Sequence, residues 1–298
     1  MHRRDFLLKA AGLAAASRAM PHLAPASSAR LPLRKAVKLS MVQEDLPLVD
    51  TFRLLKELGF DGVELDSPND FDTADVLAAR DEADFPIHGV VDSVHWRQPL
   101  SDPDPAVRQA GLDGLMTALQ DAHDYGASTV LLVPAVVKKE VSYADAYTRS
   151  QAEIRKALPV AEALGVRIAL ENVWNHFLLS PLEMARYIDE FDSPWIGAYF
   201  DIGNVVTYGW PEHWIRILGP RILKLDVKEY SRTRRDAEGL WEGFKVEIGE
   251  GDCDWPAVRA ALADIGYRGW ATAEVPGGDR ARLADIAARM DQVLALGG

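Results

Sequence analysis

Cysteine is nearly absent from this chain of 298 residues, where Cys253 stands alone. A single thiol excludes an internal disulfide and any cluster held by several thiolates, so a metal bound here would sit on carboxylates and histidines. Basic residues are also scarce. Lys and Arg total 33 against 45 Asp and Glu, a formal net charge of -12, and no basic stripe is visible. Nucleic-acid and anionic-lipid surfaces need such a stripe, so the sequence argues against both partners. No apolar run is long enough for a permanent membrane anchor. The seven histidines are scattered and form no HExxH pair. No GxGxxG follows a candidate strand, which removes the main support for a dinucleotide-binding open sheet. What remains is ordinary globular composition, 48% hydrophobic with 22 Gly and 17 Pro. The length suits one large α/β barrel or two small domains.

Residues 1–29 read as a targeting segment. Arg3-Arg4 precede Phe6-Leu7-Leu8, a short Ala-rich apolar run covers residues 10–16, and small residues continue to Ala29. The pattern resembles a twin-arginine export signal, with His2 where Ser or Thr is usual. The alternative is a basic amphipathic helix. Cleavage within residues 24–29 would leave a periplasmic or secreted chain. The twin-arginine machinery carries folded proteins, which suits an enzyme that takes up its metal before export.

Residues 30–298 alternate short β-branched runs with longer helical patterns, and no linker, repeat or low-complexity tract divides them. Candidate strands are 37–42, 62–66, 87–91, 129–133, 166–172, 196–201, 222–227 and 270–275. Apolar residues at three- and four-residue spacing mark helices such as 48–58, 108–125, 144–164 and 255–265. Gly59, Gly126, Gly165 and Gly266 follow helical patterns, where glycine accepts the left-handed cap conformation. Eight strands, each followed by a helix, predict an α/β fold: a single (β/α)8 TIM barrel whose chemistry lies at the C-terminal strand ends.

Four consecutive strands end on an acid: Glu171, Asp201, Asp226 and Glu274. Period-two alternation puts Arg167, Ala169 and Glu171 on one face, as it does Lys224, Asp226 and Lys228, and Trp270, Thr272 and Glu274. The intervening apolar residues pack on helices, so the acids point into the barrel mouth. Four converging carboxylates repel unless a cation sits among them. All-oxygen donors suit a hard divalent ion such as Mg²⁺ or Mn²⁺.

On these residues the chain resembles the xylose isomerase-like TIM-barrel superfamily of sugar isomerases and epimerases over residues 37–296. Glu171, Asp201 and Glu274 match three of that family's four metal ligands. Asp201-Ile-Gly-Asn204, Gly249-Glu-Gly-Asp-Cys-Asp254 and Gly266-Tyr-Arg-Gly269 are closest to the L-xylulose 5-phosphate 3-epimerase branch, and Leu58-Gly-Phe-Asp-Gly-Val-Glu-Leu65 is similar to the family's second strand. The resemblance implies a divalent metal, Mn²⁺ first with Mg²⁺ or Co²⁺ as substitutes, that stabilises an enediolate. It also implies that Glu171 and Glu274 are both ligands and the acid/base pair. One departure stands out. Where the family often has His-x-Lys-Asp, this chain reads Asp226-Val-Lys-Glu229. Either Asp226 ligates the ion, giving an all-carboxylate shell partly answered by Lys228 or Lys224, or it pairs with Lys228.

Supporting candidates follow. His176, in the loop after the fifth strand, contacts substrate or donates a proton, or is merely solvated. His88 and His95 flank the third strand, His88 having a core imidazole as its alternative, and Trp96 is placed to stack on a sugar ring. Glu64 faces inward for a sugar hydroxyl. Asn204 stands where some ketose epimerases carry His. Lys228 stabilises a developing oxyanion or balances charge. An exported enzyme meets free sugars or glycosides rather than sugar phosphates. The first expectation is therefore an exported, metal-dependent sugar isomerase or epimerase. The alternatives are a lyase eliminating from 3-keto-glycosides, with His176 or His95 as acid, and a non-catalytic sugar-binding barrel. Apolar helix faces permit a homo-oligomer.

Overall fold

The computed structural model describes residues 31–296, so the 1–29 targeting segment lies outside the described residues. Eight parallel strands close into a barrel in chain order, with the last pairing back to the first. They are β1 Arg34–Lys38, β2 Gly62–Ser67, β3 Ile87–Asp92, β4 Thr129–Leu132, β5 Arg167–Glu171, β6 Ile196–Asp201, β7 Ile222–Val227 and β8 Trp270–Ala273. The helices are α1 Leu48–Glu57, α2 Thr73–Ala83, α3 Pro105–Tyr125, α4 Tyr143–Leu164, α5 Pro181–Asp189, α6 Pro211–Leu218, α7 Arg232–Glu238, α8 Trp255–Asp264 and α9 Arg280–Leu294. The expected (β/α)8 barrel is the fold. The long β7–α8 connection elaborates it with α7 and a 3-10 turn, Leu240–Phe244.

Local signals set where the helices start and stop. Ser142 accepts from the Asp145 N–H, Ser180 from Glu183 and Asp254 from Ala257, each satisfying a donor the first helical turn leaves free. Gly126 and Gly165 end α3 and α4 at φ 78 and 68, a conformation that costs a side chain but not glycine.

Strand alternation builds two layers. Ile168, Leu170, Phe200 and Leu225 face the helices and are fully buried. Each such side chain is worth about 1.5–3 kcal/mol of burial, which makes the outer layer the main source of stability. The barrel interior holds Leu131, Ala169 and Tyr199, and its base is plugged by the Trp270 ring. A Cβ on Gly62 would come within 2.7 Å of that ring, which explains the glycine.

One strand is displaced from expectation. β1 runs Arg34–Lys38 rather than 37–42, and Leu39–Met41 form a 3-10 turn. The apolar residues after Lys38 suggest a continuing strand, but their backbone has already left the sheet. Lys38 therefore ends β1 and occupies a position equivalent to the acids.

Candidate active site

Glu171, Asp201, Asp226 and Glu274 come together as the alternation requires. One carboxylate oxygen from each lies within 4.8 Å of those of the other three. Parallel register makes this happen: Glu171 pairs with Tyr199, Asp201 with Asp226, and Asp226 with Thr272, two residues before Glu274. Asp201 and Asp226 are fully buried, Glu171 nearly so, and the Glu274 side chain is 30% exposed at the mouth.

Two lysines answer these charges. Lys228 Nζ lies 2.9 Å from Asp201 Oδ2 and 2.7 Å from Glu274 Oε2. Lys38 Nζ lies 2.8 Å from Glu274 Oε1 and 3.2 Å from Asp226 Oδ2. The partner of Asp226 is thus Lys38, not Lys228, and Lys38 is the residue sequence reasoning missed. Lys224 does not serve the cluster either. It points deeper into the barrel and donates to His88 Nδ1 at 2.8 Å.

The electrostatics follow from burial and from these pairs. Burial opposes a charge on Lys38, but Asp226, Glu274 and Glu171 outweigh it and hold the ammonium well above the usual lysine range. Burial likewise opposes ionisation of Glu274, yet Lys228 and Lys38 together hold it below the carboxylate range. Burial, reinforced by neighbouring Glu274, pushes Glu171 well up. Burial lifts Asp201 to about 6 against the pull of Lys228. Asp226 is pushed up by burial despite Lys38.

The donor set fits a divalent cation. The donors are hard oxygens from four strands, and Asp226 Oδ1 is buried without a hydrogen-bond partner. Two lysines against four carboxylates leave two formal negative charges, the complement of one M²⁺. A single buried oxygen left without a donor costs about 1–3 kcal/mol, which a cation would recover.

Neighbouring residues hold the acids in place. Asn172 clamps β5 to β6 by donating to the Asp201 carbonyl and accepting from the Asp201 N–H, both at 2.9 Å. Asn204 donates its backbone N–H to Asp201 Oδ1 at 2.8 Å and its amide to the Asn172 carbonyl at 3.0 Å. The Asn204 amide nitrogen is thus spent on support, while its Oδ1 accepts from Lys228 Nζ at 3.4 Å and the residue also lines the mouth cavity. Glu229 accepts from the N–H groups of Gly249 and Cys253 and from Trp255 Nε1 at 2.9, 3.1 and 2.8 Å. That ties the Gly249–Asp254 motif to β7 and gives Glu229 a structural task.

The supporting candidates divide. Trp96 lines a mouth cavity of about 450 Å³ together with Glu171, Glu274, Lys228 and Asn204. His88 does not reach it. Its ring stacks on Trp270 at 4.5 Å and lies 3.2 Å from Thr272 Oγ1, and burial holds its pKa well down, so it is a core imidazole. Glu64 is also interior, accepting from the Tyr199 hydroxyl at 3.3 Å, and is not among the cavity's lining residues. His95 is buried, and burial lowers its pKa to about 3. His176 is exposed at φ 60 and does not line the cavity, where Trp174 stands instead. The cavity's outer wall, Trp174, Trp241 and Phe244, was also missed. Trp174 lies in a loop and Trp241 and Phe244 in a short 3-10 turn, so no strand or helix period marks them and only their richness in aromatics signals them.

Residues 52–293 match the profile of the xylose isomerase-like TIM barrel, and the chain belongs to that family, which includes sugar epimerases and isomerases. The L-ribulose-5-phosphate 3-epimerase UlaE of Salmonella paratyphi C (strain RKS4594) is 27% identical over 286 residues, covering 87% of this chain and 96% of its own. The protein of the same name from Escherichia coli (strain K12) is 27% identical over 282 residues with the same coverage. L-Xylulose 5-phosphate is the C3 epimer of L-ribulose 5-phosphate, so these relatives support the epimerase branch to which the Asp201–Asn204 motif pointed. Solved structures share the fold. An L-ribulose 3-epimerase gives a TM-score of 0.72 at 19% identity, covering 89% of this chain and 95% of its own. The E. coli 3-keto-D-glucoside 4-epimerase YcjR, in its apo form, gives 0.72 at 17%, covering 88% and 98%. The IOLI protein with a bound zinc atom gives 0.74 at 14%, covering 89% and 99%.

Proposed function

We propose that this protein is an exported, divalent-metal-dependent sugar epimerase or isomerase. The observation that carries the reading is the convergence of Glu171, Asp201, Asp226 and Glu274 at the barrel mouth, with Asp226 Oδ1 lacking any partner. A divalent cation held by these four supplies Lewis-acid polarisation of a ketose carbonyl and its neighbouring hydroxyl. We assign Mn²⁺ first, with Mg²⁺ or Co²⁺ as substitutes.

Glu171 and Glu274 are the acid/base pair of this proposal. They line one cavity from β5 and from the residue after β8. Strands so far apart around the barrel present their carboxylates to a bound sugar from two sides, the arrangement epimerisation requires. One removes the carbon-bound proton and the other returns a proton to the opposite face. The order depends on the handedness of the substrate. Lys228, 2.7 Å from Glu274 Oε2, lines the cavity, where its positive charge would stabilise an oxyanion developing on a bound sugar or balance the acids. Asn172 and Asn204 fix Asp201 so that the site does not reorganise during the reaction.

The lyase alternative needs an acid beside the leaving group. His176 stands outside the cavity and His95 has its pKa lowered to about 3, so neither fits, which favours epimerisation. The names of the relatives point the same way. Export through the twin-arginine machinery to the periplasm or beyond is proposed from residues 1–29 alone. An unphosphorylated sugar or glycoside follows from that address.

The test is metal content of the mature protein beside an Asp226→Ala variant, followed by solvent-deuterium incorporation into ketoses. The expected result is about one divalent ion per chain, lost in the variant, with deuterium entering at the carbon next to the ketone. A protein that takes up no metal under any loading condition would overturn the proposal and leave a sugar-binding barrel.

A further inference from the structure

The mouth cavity continues past the carboxylates to a wall unlike the rest of the site. The β7–α8 connection brings Trp241 and Phe244 against Trp174 from the β5 loop, with ring centroids 4.7 Å apart for both Trp174–Trp241 and Trp174–Phe244. Trp96 follows β3, which lies opposite β7 in an eight-stranded barrel, and lines the same cavity. Trp96 and Trp241 are not core. Trp96 is 51% and Trp241 65% exposed. Large aromatics left in water on both walls of a concave site are costly unless a ligand covers them.

The wall is poor in positive charge. Among the described residues lining the cavity, the cations are Lys228 and Lys245. Lys228 is engaged by Asp201 and Glu274, and Lys245 donates to Glu242 at 2.7 Å. Glu171 and Glu274, on the inner side, repel a dianion. Aromatic faces beside two acids suit a flat, uncharged ring better than a dianion.

We infer that Trp241, Phe244, Trp174 and Trp96 form a subsite for the uncharged ring carried by a glycoside, so that the substrate is a glycoside with a ketone on its sugar ring rather than a lone or phosphorylated monosaccharide. The inference rests on the proposed function for the sugar bound at the carboxylates. The substituent, an aryl group or a second sugar, presents its flat face to Trp241 and its edge to Trp96. Aromatic faces favour both kinds of ring, one through its π-system and the other through its axial C–H bonds.

Calorimetric titration of the metal-loaded protein tests this with matched ligands. These are methyl and phenyl D-glucopyranosides of both anomers, the disaccharides maltose and cellobiose, and D-ribulose with and without its 5-phosphate. The expected result is about ten-fold tighter binding of a ring-bearing glucoside than of its methyl counterpart, the worth of one stacked ring. Whether phenyl or glucosyl gains more identifies the natural substituent. The ratio of ring-bearing to methyl affinity should fall about ten-fold in Trp241→Ala and survive in Trp241→Phe, with circular dichroism unchanged in both. Equal affinities within every pair, or tighter binding of the phosphorylated ketose, would overturn the inference. The two readings fail separately. Deuterium exchange without ring preference removes the subsite and leaves the epimerase, and ring preference without exchange does the reverse.

Discussion

Lys38 Nζ, at the end of β1, lies 3.2 Å from Asp226 Oδ2 at the end of β7, across the intervening strand β8. Where the resemblance leads one to expect a histidine, the chain has an aspartate, and Lys38 gives it a counter-charge. The extra negative charge of Asp226 is met by a lysine from the strand that closes the barrel. Lys38→Met should therefore harm the metal-free protein most. Removing one partner of a buried pair costs about 3–5 kcal/mol, and metal should recover much of that by taking over neutralisation of Asp226 and Glu274. Thermal unfolding with and without chelator measures this. A variant destabilised equally in both conditions would rule out the compensating role.

Metal should also stabilise the unmutated protein. Saturation at about one hundred times Kd adds about 2.7 kcal/mol, which for a domain of this size raises Tm by about 5 °C. Calorimetric scans after dialysis against chelator, then with Mn²⁺ restored, would show the shift. The same scan on Asp226→Ala should show little.

Asn172→Ala removes both side-chain hydrogen bonds to the Asp201 backbone and leaves a buried N–H and a buried carbonyl unmet. The expected loss is about 2–4 kcal/mol in denaturant unfolding. Metal affinity should weaken as Asp201 gains freedom. Stability loss with unchanged metal affinity would confine Asn172 to the fold.

Asp92, at the end of β3 and away from the carboxylate cluster, offers a clean pH test. Its pKa is raised to about 7 by burial, against one N–H from Val94, and its Oδ2 has no partner. The folded state thus holds a proton that the unfolded chain releases near pH 4. Relative to a neutral residue, Asp92 costs nothing below about pH 4, costs progressively more up to about pH 7, and a constant amount above. Asp92→Asn should match the parent at pH 4 and exceed it by a few kcal/mol at pH 8. A difference independent of pH would show that the carboxyl does not titrate in this range.

Much of this molecule was legible in its sequence because a barrel strand repeats every two residues. Alternation told Glu171, Asp226 and Glu274 from their helix-facing neighbours, and glycines after helical patterns marked the turns, so the fold and the four acids followed. His88 kept its core alternative for the same reason. A residue on the inner face stands either in the packed interior or at the mouth, and only depth decides which.

Depth and partnership belong to the closed barrel. Lys38 was hidden because β1 ends four residues before its apolar run does, and only the β1–β8 pairing brings it to Glu274 and Asp226. Alternation also turns Lys224 inward, but one layer down it meets His88. The aromatic wall needed the β7–α8 connection to fold back over Trp174, a contact with no period to announce it. By itself the sequence determined which residues face inward, because that depends on neighbours along the chain. The tertiary structure alone decided which of them meet, because strands far apart in sequence become neighbours only when the sheet closes.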